Sequence, residues 1–248
     1  MIICKSPAEI EKLRRSGRMV RGILEELRER VAPGVTTLEL ERYVEKRLAE
    51  LKAKPAFKGY RGYPCCLCAS PNEQIIHGIP SERRLKEGDI LGLDLGVVVD
   101  GYYGDSAITV PVGQISEPLQ ELLRVGEDAL ELAIEKAKAG NRVGDISAAI
   151  QQHAEGHHCS VVREFVGHGI GRELHEEPQV PNFGTAGHGP ALRAGMVLAI
   201  ETMINSGGPG VRVLGDQWTA VTEDGGCSVH FEHMVAITRN GPDVLTRL

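Results

Sequence analysis

The chain has 248 residues, with 28 Lys and Arg against 34 Asp and Glu, and therefore a formal net charge of −6. Hydrophobic residues make up 42% and charged residues 25%, so the composition excludes an intrinsically disordered or collagen-like chain. The acidic balance argues against a protein dedicated to binding a specific nucleic acid, because neutralising phosphates requires a basic face. No apolar run approaches the roughly 18 residues of a membrane helix and no signal-peptide core begins the chain, so we expect a cytoplasmic protein without membrane contacts.

The first 55 residues contain two helix signals. Residues 6–9 (Ser-Pro-Ala-Glu) form a capping box with proline at the first helical position, and apolar residues then recur at helical spacing until Pro33. A second helix is predicted from Thr36, with Glu39 at its N3 position, to a point before Pro55.

A β-hairpin is predicted near the middle of the chain. After strand signals at residues 65–69 and 74–78, an apolar run at 90–100 ends in an Asp-Gly turn signal and is followed by a second run at 102–112. The pattern therefore predicts two antiparallel strands joined by a two-residue turn.

The second half repeats this order of elements. A long helix is predicted at about 117–139, a shorter one capped by Asp145 through about His153, and strands at 161–166, 196–204 and 227–238. Two helices followed by strands, twice, indicate an α+β protein of two related halves, about 1–115 and 116–248. No linker rich in Pro, Ser or charge separates the halves, so we expect one domain over residues 1–248.

Asp94 is a carboxylate inside the first apolar strand of the predicted hairpin. Alternation places it between two glycines on one face of the strand. A buried carboxylate is costly unless it is paired or binds a metal, and we expect the flanking glycines to leave room for a ligand. A two-residue turn places Asp105 opposite Gly96, and hence diagonal to Asp94 with Cβ atoms roughly 7 Å apart, a distance that a cation can bridge.

Three further candidate ligands lie in the second half. Glu201 and Glu232 are single carboxylates in apolar strands, and His168 lies between two glycines. A lone acidic residue in a strand is more often an edge or bulge residue than a ligand, but four such carboxylates and an imidazole in one chain favour a metal site. Oxygen-rich ligation with one nitrogen suits a pair of ions such as Mn, Fe, Co or Zn, and not a thiolate-bound structural zinc.

Two histidines remain open to two interpretations. His77 and His175 lie in short loops bounded by glycine or proline. Loop histidines are commonly inert surface residues, but these two are also candidates for proton carriers or oxyanion donors at the rim of a site.

The remaining motifs are weaker signals. Cys65 and Cys68 form a single C-x-x-C pair, which can indicate zinc binding or redox chemistry, but it lies in a predicted strand and has no second pair; we interpret these cysteines as buried or pocket-lining thiols. The adjacent histidines 157 and 158 are interpreted as a turn. No nucleotide-phosphate loop and no H-E-x-x-H motif occurs.

Taken in order, these residues resemble type I methionine aminopeptidases. The resemblance covers essentially the whole chain and rests on Asn-Glu-Gln-Ile-Ile-His-Gly-Ile-Pro at 72–80, the two aspartates 11 residues apart, Gly-His-Gly-Ile-Gly-Arg at 167–172 with His-Glu-Glu-Pro at 175–178, Ile200-Glu201, and Phe231-Glu232-His233. It implies the pita-bread fold of creatinases and aminopeptidases, in which two pseudo-symmetric α/β halves with antiparallel sheets close over a dinuclear metal site.

The resemblance also implies roles for individual residues. Asp105 and Glu232 match residues that bridge both ions, Asp94 matches a ligand of one ion, and His168 with Glu201 match ligands of the other. His77 and His175 match residues that contact the substrate. The residues implied to line the pocket for the methionine side chain are Phe57, Tyr60, Tyr63, Cys68, Leu174 and Trp218. Some relatives have cysteine in place of Phe57 and many have phenylalanine in place of Leu174, departures that concern the shape of the pocket.

The implied activity is removal of the N-terminal methionine from nascent proteins and peptides, with a preference for a small second residue. In two-metal hydrolysis a water bridging the ions loses a proton, here to Glu201, and the hydroxide attacks the first peptide bond. His175 is expected to stabilise the oxyanion, and His77 to help deliver a proton to the leaving nitrogen. We expect two ions of cobalt, manganese, iron or zinc, a monomer, and a contact at the ribosome exit region.

Two other functions compete with this prediction. X-Pro aminopeptidases and prolidases resemble the same fold and use similar ligands, although they usually carry an added N-terminal domain. The fold also serves as a non-catalytic protein- or RNA-binding module in which ligands have been lost. The presence of all five ligand residues argues against the second alternative, and a comparison of peptide substrates separates the first.

Overall fold

The computed structural model describes residues 1–248 as four α-helices packed on antiparallel sheets. The helices are α1 (Pro7–Arg28), α2 (Thr37–Leu51), α3 (Glu117–Lys136) and α4 (Val143–Gly156), with a short 3₁₀ helix at Tyr60–Gly62. The strands are β1 (Lys54–Pro55), β2 (Leu67–Pro71), β3 (Gln74–Ile76), β4 (Ile90–Val99), β5 (Tyr102–Pro111), β6 (Ser160–Val161), β7 (Val166–Gly169), β8 (Glu176–Pro181), β9 (Val197–Asn205), β10 (Val211–Val213), β11 (Ala220–Thr222), β12 (Ser228–Thr238) and β13 (Gly241–Val244). No helix is both long and apolar enough to cross a membrane.

A ten-stranded antiparallel sheet joins the two halves of the chain. Its path runs β1-β4-β5-β12-β9-β7-β8, so the hairpin of the first half lies directly beside strands of the second half. The two halves meet between β5 and β12, where Ala107 pairs with Glu232. Strands β10, β11 and β3 form a separate three-stranded sheet. The continuous central sheet therefore brings side chains from both halves onto one face.

Each pair of helices covers its own hydrophobic core. One core joins α1 and α2 to β2, β4 and β5, and includes Leu24, Val44 and Leu93. The other joins α3 and α4 to β9 and β12, and includes Ile150 and Ile200. Two helix pairs, each packed on its own strands, confirm the α+β class.

The two N-terminal capping boxes are confirmed. The Ser6 hydroxyl accepts a hydrogen bond from the Glu9 amide, and the Glu9 carboxylate accepts one from the Ser6 amide at 2.9 Å. Thr36 and Glu39 make the same reciprocal pair at the start of α2. The first helix ends at Arg28, earlier than the predicted stop at Pro33.

The hairpin register is also confirmed. Asp100 and Gly101 both have positive φ, 51° and 77°, as a type I′ turn requires. Gly96 therefore pairs with Asp105, as the two-residue turn predicts.

The predicted N-cap of the fourth helix is wrong by three residues, since the N-cap is Arg142. Asp145 is not the N-cap but lies at the N3 position of α4, which begins at Val143. Its carboxylate reaches back to accept a hydrogen bond from the Arg142 amide at 2.7 Å, and its other oxygen accepts one from the Gly187 amide at 2.7 Å. The carboxylate thus satisfies amides near the helix start from inside the first turn.

Two other element predictions are corrected. The single strand predicted at 161–166 is two short strands, β6 and β7, which pair with different parts of β9. The long third helix ends at Lys136, three residues before the predicted end. The interpretation of residues 157 and 158 as a turn is confirmed: His158 has φ +60°, and His157 lies 3.2 Å from Glu121.

Candidate metal centre and active site

The five predicted ligand residues line one cavity of about 300 Å³. Each comes from a different strand, and the five strands are consecutive neighbours in the central sheet, in the order β4, β5, β12, β9 and β7. The residues, in that order of strands, are Asp94, Asp105, Glu232, Glu201 and His168. The site therefore spans the junction of the two halves, and neither half forms it alone.

The donor atoms of these side chains lie close together. Oxygen and nitrogen atoms of Asp105, His168 and Glu232 all lie within 4.8 Å of one another. His168 Nε2 is 3.4 Å from Glu201 Oε1 and 3.9 Å from Asp105 Oδ2. Glu201 and Glu232 are directly paired residues of β9 and β12. Such spacing suits several side chains that share cations.

Three buried carboxylate oxygens in the site lack a hydrogen-bond partner. They are Asp94 Oδ1, Asp105 Oδ1 and Glu232 Oε1. A buried acceptor left without a partner costs about 1–3 kcal/mol, and more when it is charged. A divalent cation would satisfy all three oxygens and offset their negative charge, so the residues present fit a metal site rich in oxygen ligands with one nitrogen.

The electrostatics of the carboxylates lead to the same conclusion. Burial raises the pKa of Asp94 to about 7 and raises the pKa of Asp105 and of Glu232 well above the usual range, with repulsion between the carboxylates adding to the effect. Burial also acts to raise the pKa of Glu201, but the contact with His230 and the nearby His168 outweigh it and lower that pKa. Glu201 is therefore the carboxylate of this cluster that ionises most readily.

His230 is a site residue that the sequence analysis missed. It is 3% exposed, and its Nε2 lies 3.3 Å from Glu201 Oε2. It precedes Glu232 by two residues in β12, so alternation places both side chains on the same face. That spacing is the signal that would have identified it.

His168 is oriented by a hydrogen bond to its own strand. Its Nδ1 lies 2.9 Å from the carbonyl oxygen of Gly169, which can only accept, so Nδ1 carries the proton. The lone pair of Nε2 then faces the carboxylates and is available to a cation. This arrangement is typical of histidine ligands whose second nitrogen is fixed by a backbone carbonyl.

The expectation that the glycines beside Asp94 leave room for a metal is wrong, because neighbouring chain segments occupy that space. A Cβ atom at Gly96 would lie 2.6 Å from the Phe57 ring, and one at Gly92 would lie 3.3 Å from the Ser70 carbonyl oxygen. Because these glycines lack side chains, neighbouring chain segments can pack closely against the strand. Phe57, which packs on Gly96 in this way, is part of the cavity wall near Asp94.

The glycine before His168 has the same structural role. A Cβ atom at Gly167 would lie 2.4 Å from the carbonyl oxygen of Ala199 on β9. Because this contact is with backbone, the added atom would force β7 away from β9 and would move His168 with it.

We expect Gly167→Ala to weaken metal binding about tenfold or more, in the range seen when the support of a ligand is lost. The donor atoms are unchanged, so the effect would arise from displacement of His168. Titration calorimetry with Mn²⁺ would measure it. Gly156→Ala is the matched control, since a Cβ at Gly156 meets nothing within 4 Å, and equal Mn²⁺ affinity of the Gly167 and Gly156 variants would contradict the prediction.

All predicted pocket residues line the same cavity as the ligands. These residues are Phe57, Tyr60, Tyr63, Cys68, Leu174 and Trp218. Tyr63 and Trp218 pack edge to face with ring centroids 5.1 Å apart, and the Tyr63 hydroxyl donates to the carbonyls of Leu67 or Gly78, each at 3.0 Å. This part of the cavity wall is thus mainly apolar, and Tyr63 is held in place by its hydrogen bond.

Cys66 and Cys68 are buried thiols, and Cys65 is partly buried. Cys68 lines the cavity, and burial raises its pKa well above the usual range. Burial raises the pKa of Cys65 to about 11 and that of Cys66 to about 12. At neutral pH these thiols are protonated and poor nucleophiles.

The two loop histidines lie at the cavity, as the prediction of a site rim requires. His175 has an exposed outer edge, but its Nδ1 lies 2.7 Å from the Tyr60 hydroxyl and its ring centroid lies 4.3 Å from that of His168. His77 has φ +59° and packs against Trp218 and Phe165. Desolvation lowers the pKa of each histidine to about 4, so both rings are neutral at pH 7.

Four more residues line the cavity without having been singled out from the sequence. They are Arg61, Glu164, Phe165 and Val166. Three of them, Glu164, Phe165 and Val166, lie within residues 161–166, the segment wrongly predicted as one continuous strand. Glu164 and Phe165 lie between β6 and β7, and Val166 is the first residue of β7.

Comparison with known proteins places this geometry in a family. Residues 11–239 match the model of metallopeptidase family M24. Methionine aminopeptidase 1 of Bacillus subtilis is 49% identical over 248 residues, with both chains covered in full. The crystal structure of methionine aminopeptidase from Thermotoga maritima superposes with a TM-score of 0.98 at 48% identity, again over the full length of both chains.

A more distant structure shares the fold only. Prolidase from Pyrococcus horikoshii superposes with a TM-score of 0.80 at 24% identity, and the match covers all of this chain but 64% of the prolidase. The pita-bread fold expected from the sequence is therefore confirmed. A family match over nearly the whole chain, full-length relatives at about half identity and a carboxylate-rich centre fitted to divalent cations together show that the chain belongs to metallopeptidase family M24.

Proposed function

We propose that this protein is a methionine aminopeptidase that removes the N-terminal methionine from nascent proteins and peptides. The observation that carries the proposal is one cavity lined both by five ligand-type side chains and by a mainly apolar set of side chains. Aromatic and sulfur-containing side chains suit the flexible, polarisable thioether of methionine. Full-length similarity, at about half identity, to proteins named methionine aminopeptidase supports the same activity.

We further propose that the site binds two divalent ions. Asp94, Asp105, His168, Glu201 and Glu232 would hold them. Cobalt, manganese, iron and zinc all suit this donor set. When bound, such ions lower the pKa of a coordinated water towards neutrality and polarise a carbonyl group.

The side chains of the cavity supply the remaining chemistry. Glu201, whose pKa is lowered, is the acceptor for the proton of the attacking water. With the Tyr60 hydroxyl donating to Nδ1 of His175, Nε2 of that ring carries the proton and donates to the carbonyl oxygen of the first peptide bond. His77, neutral at pH 7, helps to pass a proton to the leaving nitrogen.

The substrate test compares three peptides. We expect the enzyme, supplied with Mn²⁺, Co²⁺, Fe²⁺ or Zn²⁺ under anaerobic conditions, to release methionine from Met-Ala-Ser with kcat/KM at least about 100-fold above any hydrolysis of Ala-Pro-Ser. We expect Met-Leu-Ser to be cleaved more slowly than Met-Ala-Ser, because a bulky second residue must fit beside the ligands. Quantitative mass spectrometry of the products measures all three rates.

The same assay separates the competing functions. Cleavage of Ala-Pro-Ser alone would overturn the proposal in favour of a proline-directed peptidase. Failure of every ion to support turnover, together with the absence of divalent metal in freshly purified protein, would favour a binding module. We propose that the enzyme acts as a single-domain monomer in the cytoplasm, on chains emerging at the ribosome exit region.

A further inference from the structure

A second cavity, of about 740 Å³, opens from the candidate active site. The two cavities share the walls formed by Arg61, Val166, His168 and His175. We call the second cavity the exit groove and define it by its other wall residues, which are Met1, Ile3, Arg172, Glu173, Glu176, Glu177 and Gln179. Its continuity with the metal centre makes it a path from the site to the outside.

The floor of the exit groove is one face of the strand pair β7 and β8. His168 pairs directly with Gln179, so their side chains lie on the same face of the sheet. Val166 lies two residues before His168 and shares that face, whereas Val180 belongs to the hydrophobic core. Because β8 is the last strand of the sheet path, the floor leads from the candidate ligand His168 to the sheet edge at Gln179.

The amino-terminal segment forms a wall of the exit groove and is held firmly in place. The Lys5 ammonium group lies 2.5 Å from the Glu176 carboxylate, with the two side chains only 4% and 7% exposed. The Lys5 amide donates to the Gly195 carbonyl at 2.6 Å, and Ile2 packs against the core of the second half. Ile3 is therefore fixed between two anchored residues, with its side chain 54% exposed along the groove.

The chemistry of the exit groove suits a polypeptide of varied sequence. An enzyme that removes a first residue needs a closed pocket for that residue and an open path for the rest of the chain. Arg61 and Arg172 line the groove together with Glu173 and Glu177. The third carboxylate of its wall, Glu176, is paired with Lys5, so neither sign of charge dominates. Mixed charge next to the apolar Ile3 favours contact with backbone and aliphatic groups over recognition of one side chain.

Resting on the proposed function, we propose that the exit groove binds the substrate residues that follow the scissile bond, from about the third residue onward, as an extended polypeptide. Longer substrates then make contacts that a tripeptide lacks. The anchored Ile3 and the edge residue Gln179 are the positions at which these contacts can be removed with least disturbance, since both side chains are exposed and Gln179 makes no side-chain hydrogen bond within the protein.

The test is the ratio of kcat/KM for the hexapeptide Met-Ala-Ser-Ala-Ser-Ala to kcat/KM for Met-Ala-Ser. We expect a ratio of about 10 for the unmodified enzyme and a ratio near 1 for the double variant Ile3→Ser/Gln179→Ala. Val213→Ser, at a position that is 49% exposed on β10 outside the groove, is the control and should keep the ratio of about 10. A ratio near 1 in the unmodified enzyme, or an unchanged ratio in the double variant, would overturn the proposal.

A second measurement separates this proposal from the proposed function. If the enzyme releases a first residue other than methionine, the same series is run with that residue. Binding of the fluorescently labelled hexapeptide is also measured by anisotropy, which requires no turnover. We expect about tenfold weaker binding to the double variant than to the control, and equal binding would count against the groove whether or not methionine is released.

Discussion

Replacing Glu201 by glutamine is expected to lower methionine release by at least about 10³-fold while leaving the fold intact, a loss within the range for removing a general base. Glutamine has the shape of glutamate and keeps one oxygen near His168 Nε2, which lies 3.4 Å from the carboxylate in this structure. It cannot accept a proton at neutral pH. Because the pKa of Glu201 is lowered in its site, this is the carboxylate best suited to that role.

Three measurements make this prediction decisive. Single-turnover rates give the loss of activity, thermal unfolding shows whether the fold is intact, and metal analysis by mass spectrometry shows whether the ions are still held. Loss of turnover with metal retained assigns proton transfer to Glu201 in addition to ligation. The control is Glu135→Gln on the exposed face of α3. A Glu201 variant within tenfold of the unmodified rate would refute the assignment.

Local signals were enough to predict the hairpin that carries two of the ligand candidates. The turn at Asp100 and Gly101 requires positive φ at both residues, which few residue types adopt easily, so this pair fixes the turn length. Turn length fixes register, and register with alternation places Asp94 and Asp105 on the same face. Each step depends on residues near one another in the chain, which is why the sequence alone predicts it.

Elements without local signals were missed. Strand β8 contains Pro178 and Pro181, which argue against a strand unless it lies at the edge of a sheet, and only the folded sheet shows that it does. Arg142 is not a favoured cap, so the start of α4 was placed too late at Asp145. Gly92 and Gly96 allow the segments at Ser70 and Phe57 to pack closely against β4. The sequence does not identify those segments, because they are distant along the chain.

The metal centre depends on the whole sheet because five consecutive strands each supply one of its ligand candidates. Strands β4 and β5 belong to the first half and β12, β9 and β7 to the second, so the carboxylates meet only after the two halves have joined between β5 and β12. Sequence patterns identified each carboxylate singly, as a charge in an apolar strand. Their mutual distances, and the partner His230 beside Glu201, are properties of the assembled sheet.

The carboxylate charges should destabilise the protein once the ions are removed by chelation. The pKa of Asp94 is about 7 in the folded chain and about 3.9 in an unfolded one, so its contribution to stability falls as pH rises from about 4 to about 7. Asp105 and Glu232 have pKa values shifted in the same direction. Cations reverse this loss by displacing the protons, so they should stabilise the protein more at pH 7.5 than at pH 5.5.

We therefore expect the increase in melting temperature caused by Mn²⁺ to be larger at pH 7.5 than at pH 5.5, by roughly 4 °C or more, equivalent to about 1–2 kcal/mol. Comparing chelated and Mn²⁺-loaded protein at the same pH cancels the pH-dependent stability contribution of histidines that do not line the cavity, such as His233. The variant Asp94→Asn should raise the melting temperature of the chelated protein at pH 7.5, because it removes a buried charge, and should reduce the increase caused by Mn²⁺. Asp128→Asn, in an exposed ion pair on α3, should change neither value. A chelated Asp94 variant less stable than the unmodified chelated protein would show that the carboxylate is compensated by the protein itself, and the centre would then not need a cation.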